Sequence, residues 1–354
     1  MMPDVTTELH DICAQLRIVD ANRFLFRGWE LQLKANGGSD GEAATKVSAT
    51  APTGADGPMV NRLCQLLYAA CYVRNADFVP AEFEPQQAKP ANPAAENLTP
   101  LLMQANPTPE GWDQGWKIYH LGSNGRAFVK KGERSRVAMA GTYALQKWSD
   151  TGPRLGDLVS LRVYPGTSDL QTAFLHTFGA TLSDQFDDFN TVRFYFNIKH
   201  DAASALLAAL GAALNHYFIP FHFKTLVDPA MYRRADAAVL YFARRYYHMV
   251  AAIVASLPAI LGDGLRTATP LFTKTFMPGI GIAEDPGTGD SFGMHRCNLV
   301  AQGLVDAWLA GAQAADASLA AIQNRLVRYG LNPQALWLNP RSTDIFVPAG
   351  EHLP

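Results

Sequence analysis

Pro220-Phe221-His222-Phe223-Lys224 sets an imidazole and an amine two residues apart between aromatic side chains. In a strand, successive side chains alternate, so Phe221 and Phe223 point one way and His222 and Lys224 the other. A lysine held on an aromatic-backed strand is rigid and partly desolvated. Desolvation disfavours the ammonium form, which can turn a lysine into a base near neutral pH. Arg233 and Arg234 follow within about ten residues, and guanidinium groups bind phosphate bidentately. A base beside an anion clamp points to elimination or transfer on a phosphorylated substrate.

Three further constellations stand near it. Thr191-Val192-Arg193-Phe194-Tyr195-Phe196-Asn197 reads as a strand with Arg193, Tyr195 and Asn197 on its polar face. If this strand and the lysine strand share a sheet, all five polar side chains can share one face. The plain alternative is a solvated sheet face, which is normally polar. In Tyr232-Arg233-Arg234-Ala235-Asp236, an arginine can serve a phosphate or simply pair with Asp236. The stretch from Pro278 to Gly293 is dense in glycine, so its backbone can approach a ligand. Lys274 precedes it, and Ser291 can cap a helix carrying His295 and Arg296. Helix starts favour anions. No GKS/T follows these glycines and no strand–GxGxxG–helix unit forms, so nucleotide-loop motifs are absent. There is no HExxH and no GxSxG. Glu284-Asp285 could hold magnesium, but a turn role fits better. No metal and no organic cofactor is expected.

The elements that must position these groups follow from periodicity. Residues 4–34 read as helix, with Leu9, Ile12, Leu16 and Ile18 on one side. Residues 35–58 form a Gly/Ala/Thr-rich flexible loop, and 59–75 a second amphipathic helix. Residues 77–110 contain seven prolines and read as a linker or surface wrap. From about 111 a catalytic α+β domain runs to 354. It opens with a hairpin, 116–121 and 125–130, turned at Ser123-Asn124-Gly125. Strands follow at 158–164, 191–197, 218–226 and 235–241, and helices at 201–217, 243–261, 295–312 and 316–329, the first of these helices capped by Asp201. Hairpin spacing favours a mixed, largely antiparallel sheet with flanking helices over a doubly wound parallel one.

The chain has 354 residues, 48% hydrophobic and 18% charged, with a formal net charge of -2. That suits a globular fold and supplies no field for nucleic acid or an anionic membrane. The four cysteines form no CxxC pair, as expected of buried thiols in a reducing compartment. The N-terminus lacks a basic and then apolar leader, so a cytoplasmic bacterial protein is expected. A signal read by a specialised secretion machine is not visible by such rules.

VRFYFN, a helix, IPFHFKTLVDPAMYRRADAAVLY and PLFTKTFMPGIGIAEDPGTGDSFGMHRC together resemble the HopA-type effector family. That family includes HopA-like lyases of class V lanthipeptide and thioamitide biosynthesis. The resemblance covers about 190–340 well and 110–190 loosely. It implies a phosphoserine/phosphothreonine lyase: a partner kinase phosphorylates a peptide, and the lyase expels phosphate to leave a dehydroamino acid. The order of motifs is similar to that of phosphothreonine lyase effectors, in which a lysine is the base. Lys224 matches that lysine and Arg234 the phosphate-binding arginine. Arg193, Lys274 and Arg296 are the other phosphate ligands expected, with Asn197 and Asp236 touching substrate. The acid of those effectors is a histidine on the polar strand. Here Tyr195, His222 and His120 are the candidates. The alternative from another class is a non-catalytic effector-like module that binds a peptide or protein.

Overall fold

The computed structural model describes residues 4–32, 57–75, 77–79 and 97–350. Most of the expected 35–58 loop, and the proline-rich 80–96, lie outside these residues.

Helix α1 (Val5–Gln15) is capped by Asp4, whose side chain accepts from the Thr7 amide. It stops where alternation takes over. Strands β1 (Leu16–Asp20), β2 (Arg23–Phe26) and β3 (Trp29–Gln32) form an antiparallel meander. The reading of 4–34 as all helix is therefore corrected. Leu16, Ile18, Phe24 and Phe26 are buried, a period of two that suits a sheet lying on a helix layer. Helix α2 (Gly57–Leu67) runs into one π-helical turn, Tyr68–Tyr72. Within the supposed linker, Thr99–Ala105 forms a short helix, α3, that buries Leu102.

A five-stranded sheet comes next: β4 (Gly111–Leu121), β5 (Ala127–Lys131), β6 (Arg134–Ala138), β7 (Tyr143–Leu145) and β8 (Leu158–Val163), in the order β6-β5-β4-β8-β7. Its small core gathers Trp116, Ile118, Val129, Val159 and Leu161.

The main sheet has seven antiparallel strands. They are β9 (Gly166–Thr167), β10 (Phe174–Phe178), β11 (Thr191–Phe196), β12 (Phe221–Leu226), β13 (Ala238–Ala243), β14 (Lys274–Met277) and β15 (Ile280–Glu284). Their order is β14-β15-β11-β13-β12-β10-β9. The β14–β15 hairpin lies inside what reads from sequence as a glycine-rich loop. Its glycines serve close packing: a Cβ on Gly281 would sit 2.4 Å from the Thr273 hydroxyl.

Each face of this sheet has its own core. Phe194, Phe196, Phe223, Leu240 and Phe242 face helix α4 (Ala203–His216) and helix α5 (Tyr247–Ser256). The expected Asp201 cap is absent: a 3-10 turn, His200–Ala202, leads into α4, whose N-cap is Ala202. Residues Arg244–Gly264 are long and apolar enough to cross a membrane. They are instead split by Pro258 into α5 and α6 (Pro258–Leu261), and Val250, Val254 and Leu257 are buried. On the other face Tyr195, Val239 and Ala283 meet the N-terminal elements, α7 (Phe292–Leu309) and, behind it, α8 (Ala315–Arg328). Ser291 caps α7 as expected, accepting from the Met294 amide at 3.2 Å. The ring of Tyr72 lies against Gly293, where a Cβ would come within 2.3 Å of it.

Candidate functional site

Strands β11 and β12 do share a sheet, but they are not neighbours; β13 runs between them. Side chains directly opposed on antiparallel strands point to the same side. The register therefore lays two rows across this face. One row is Phe178, His222, Tyr241, Arg193 and Ala283; the next is His176, Lys224, Val239, Tyr195 and Gly281.

The first row is a stack. The His222 ring lies 5.0 Å from Phe178 and 4.8 Å from Tyr241, nearly parallel to both. The Arg193 guanidinium sits 5.0 Å over the other side of Tyr241. Asp285 closes the row, accepting from Arg193 Nε at 2.8 Å and also from its Nη2. Burial opposes the charge on Arg193, but Tyr195, Tyr241 and Asp285 outweigh it and raise its pKa. A second imidazole joins from the next row: His176 Nδ1 lies 2.7 Å from His222 Nε2. Burial, then His176, Lys224 and Arg193, push His222 down to about 3. Burial and Lys224 lower His176 as well. Both rings are thus neutral at pH 7 and share one hydrogen bond. His176 Nε2 is buried without a partner among the described residues.

Lys224 stands beside this pair. Its Nζ lies 4.6 Å over the Phe174 ring and 5.8 Å from Tyr241, contacts that favour a cation. No hydrogen bond or ion pair holds it among the described residues. The carboxylate of Asp236 feels its charge.

The other expected residues are spent elsewhere. Arg234 forks onto Asp236, with Nη2 at 2.8 Å, and also donates to the Tyr68 hydroxyl at 2.8 Å. Burial would raise the Asp236 carboxyl, but Arg234 and then Lys224 and Tyr68 bring it below the usual range. Arg296 donates to the backbone carbonyls of Leu336 and Leu338 and pins the C-terminal segment; burial lowers it to about 10. Lys274 pairs with Ile282, which puts it on the opposite face, where its Nζ meets Asp344 at 2.7 Å. Asn197 donates to the Ala268 carbonyl at 2.9 Å and ties down a loop. Tyr195 is sealed under Phe292. Its hydroxyl lies near Tyr72 and Arg193 without a well-formed hydrogen bond, and burial raises its pKa. His120 lies on β4 in the other sheet, against Phe128.

Sequence reasoning missed His176. Its signal was present: Phe174-Leu175-His176-Thr177-Phe178 alternates as the lysine strand does, with a histidine on the face shared by two phenylalanines. It read Asp285 as a turn residue without its partner Arg193, and it missed Tyr68; both roles depend on contacts across more than ninety residues. Among the described residues no group of three or more His, Cys, Asp or Glu could hold a metal ion.

The stacked row forms part of the floor of a cleft of about 890 Å³ between the two larger sheets, lined by Phe178, His222 and Tyr241 on one side and by Val137, Met139 and Leu161 on the other. Lys224 lies one row beyond this floor, about 7 Å along the strand at two residues.

Residues 167–338 match the model of the HopA1 effector protein family. This segment spans β10–β15 and the helices packed on them. Two solved effector proteins are similar. One, from Pseudomonas syringae pv. tomato strain DC3000, is 20% identical, with 47% of this chain and 63% of that chain covered at a TM-score of 0.37. The other, from Pseudomonas syringae pv. syringae strain 61, is 18% identical, with 48% and 63% covered at a TM-score of 0.36. The chain thus spans less than two thirds of either. No curated protein matches.

Proposed function

We propose, with residues 167–338 belonging to the HopA1 effector protein family, that this protein is a phosphoserine/phosphothreonine lyase acting on a phosphorylated peptide supplied by a partner kinase. One observation carries the reading. Of the cations expected to do chemistry, Lys224 alone has no hydrogen bond or ion pair among the described residues, and it stands in register with His176 and two residues from His222.

The chemistry suits that arrangement. The α-proton of a phosphoamino acid is weakly acidic, so its removal needs a positioned amine. Lys224 is the base that takes it; the Cα–H electron pair becomes the new double bond and the Cβ–O bond to phosphate breaks. Elimination consumes no water. The proton taken from Cα stays on the Lys224 amine until it exchanges with solvent, and the phosphate departs as the anion. In this reading the neutral histidine pair supports it with a ring N–H hydrogen bond rather than with a proton. His222 from the expected set, with His176 beside it, fits that role better than Tyr195, whose hydroxyl is closed off beneath α7. Tyr195 serves packing in this reading, and Arg193, Arg234 and Asp236 hold the strands that carry the base.

A second reading is favoured by a different observation. Arg193, Arg234, Lys274 and Arg296 are all engaged by protein groups, which leaves the face with little to clamp a phosphate. A non-catalytic effector-like module that binds a peptide in the cleft needs no such clamp. Incubation of the full chain with phosphothreonine peptides, followed by mass spectrometry, separates the two. Loss of phosphoric acid that stops in Lys224→Ala supports the lyase; loss that persists in Lys224→Ala refutes the base assignment. No loss from any phosphopeptide leaves the binding module.

A further inference from the structure

The cleft is bounded by two sheet edges. Strand β6 is the outermost of the five-stranded sheet, and β9 the outermost of the seven-stranded one. Both line it, through Val137 and Ala138 on one side and Gly166 and Thr167 on the other. An edge strand presents unpaired backbone groups, a template for another extended chain. Part of β6 is already closed. The Ser135 amide donates to Asp184 at 3.2 Å and Arg136 donates to the Ser183 carbonyl at 2.7 Å. Further on, Thr142 takes the Met139 amide and carbonyl; between these closures, at Val137 and Ala138, no described strand covers the outer edge.

The walls also carry apolar side chains that the fold leaves in solvent. Val137, Met139, Tyr164 and Leu170 are all exposed, Leu170 by 63%, and all four line the cleft. Scattered exposed apolar residues need no explanation, but several around one concavity mark an interaction site. The charges are unequal as well. Asp285 is neutralised by Arg193, and Asp187 by Arg245 at 2.9 Å. Arg162 is engaged by Glu110; Arg136 donates to the neutral Ser183, so it keeps its charge, which acts on Asp188 and Asp184. Against that one charge stand Asp188 and Asp169, which have no ion pair among the described residues, so the lining stays net negative and complementary to a cation.

We propose that the cleft holds an extended peptide segment along the β6 and β9 edges, with its apolar side chains against Val137, Met139 and Leu170 and a lysine or arginine against Asp188. This names how the peptide of the proposed function is recognised, and it deepens that reading. One wall comes from the five-stranded sheet, which precedes the family-matched segment, so Val137 and Met139, outside that segment, would choose the peptide together with Leu170 and Asp188 inside it.

The test is selection of a random, unphosphorylated peptide display library on the immobilised full chain. Enriched sequences are expected to alternate apolar residues and to carry Lys or Arg. Leu170→Glu should weaken the enriched peptides at least about tenfold. Asp188→Arg should weaken the same peptides and spare versions in which Ala replaces the basic residue. Both sites are exposed, and circular dichroism matching the parent confirms that each variant is folded. No enriched sequence, acidic sequences in place of basic ones, or binding indifferent to both variants overturns the proposal. Elimination plays no part in this readout. A chain that selects such peptides yet never releases phosphate refutes the lyase and keeps the cleft; an active lyase with no cleft-dependent selection does the reverse.

Discussion

Two regions of one sheet face are built from similar residues and behave differently. Where β11 and β13 meet the α7 layer, each cation has a carboxylate: Arg193 has the half-buried Asp285 and Arg234 the buried Asp236. Where β10 and β12 lie, the groups are a lysine without an ion pair among the described residues and two histidines that burial keeps neutral. The first region spends its charges on holding strands together. The second leaves its lysine and histidines without a counter-charge from a neighbouring element among the described residues. Residue type does not distinguish them. What differs is whether a neighbouring element supplies a counter-charge.

The sharpest way to break this contrast is Lys224→Ala. General acid–base groups contribute about a hundredfold to ten-thousandfold, so phosphate elimination should fall about a thousandfold, as read by mass spectrometry over time. Thermal stability should hold within about 0.5 kcal/mol, because no polar partner is left unpaired. If Lys224→Ala unfolds the chain, the unpaired lysine belongs with the structural cations after all.

Asp236→Ala tests the other side. It strands a buried guanidinium and should cost about 3 kcal/mol in urea unfolding, whereas Arg234→Met with Asp236→Leu should recover most of the loss. An Asp236→Ala variant of unchanged stability would mean that Arg234 is free for substrate.

The histidine pair is sharpened by pH. His222 titrates at about 3 in the fold against an ordinary 6.5. The unfolded chain therefore binds the proton first as pH falls. Stability from this group is fully present above about 6.5 and is lost progressively down to about 3. By pH 5 the loss should be about 2 kcal/mol. His222→Gln should flatten that part of the stability profile. An unchanged slope would show that His222 is not held neutral by its surroundings. The smallest effect is expected from Lys274→Ala. Its half-buried contacts with Asp344, the Phe346 carbonyl and the Trp337 ring should be worth about 1 kcal/mol, and elimination should be untouched.

Much of the sheet was legible because alternation is local. The strands at 158–164 and 191–197, the hairpin turned at Asn124-Gly125 and the Ser291 cap all follow from neighbours within a few residues. Others were not. Leu16 and Ile18 fit a helical spacing, and their strand character shows only when Phe24 and Phe26 pair with them. The β14–β15 hairpin was hidden by glycines that serve close packing. His176 and His222 are forty-six residues apart, and nothing in either segment announces the other.

The sequence by itself determined that His222 and Lys224 share one face of a strand, because a period of two follows from the backbone alone. It also determined the α+β character, through the alternation of strand and helix patterns. Only the tertiary structure decided that β13 separates β11 from β12 and that His176 lies beside Lys224. It alone set Asp285 and Asp236 on the arginines. Such pairings join segments tens of residues apart, and their energy depends on burial and on which charge arrives opposite. No spacing within a single segment encodes that.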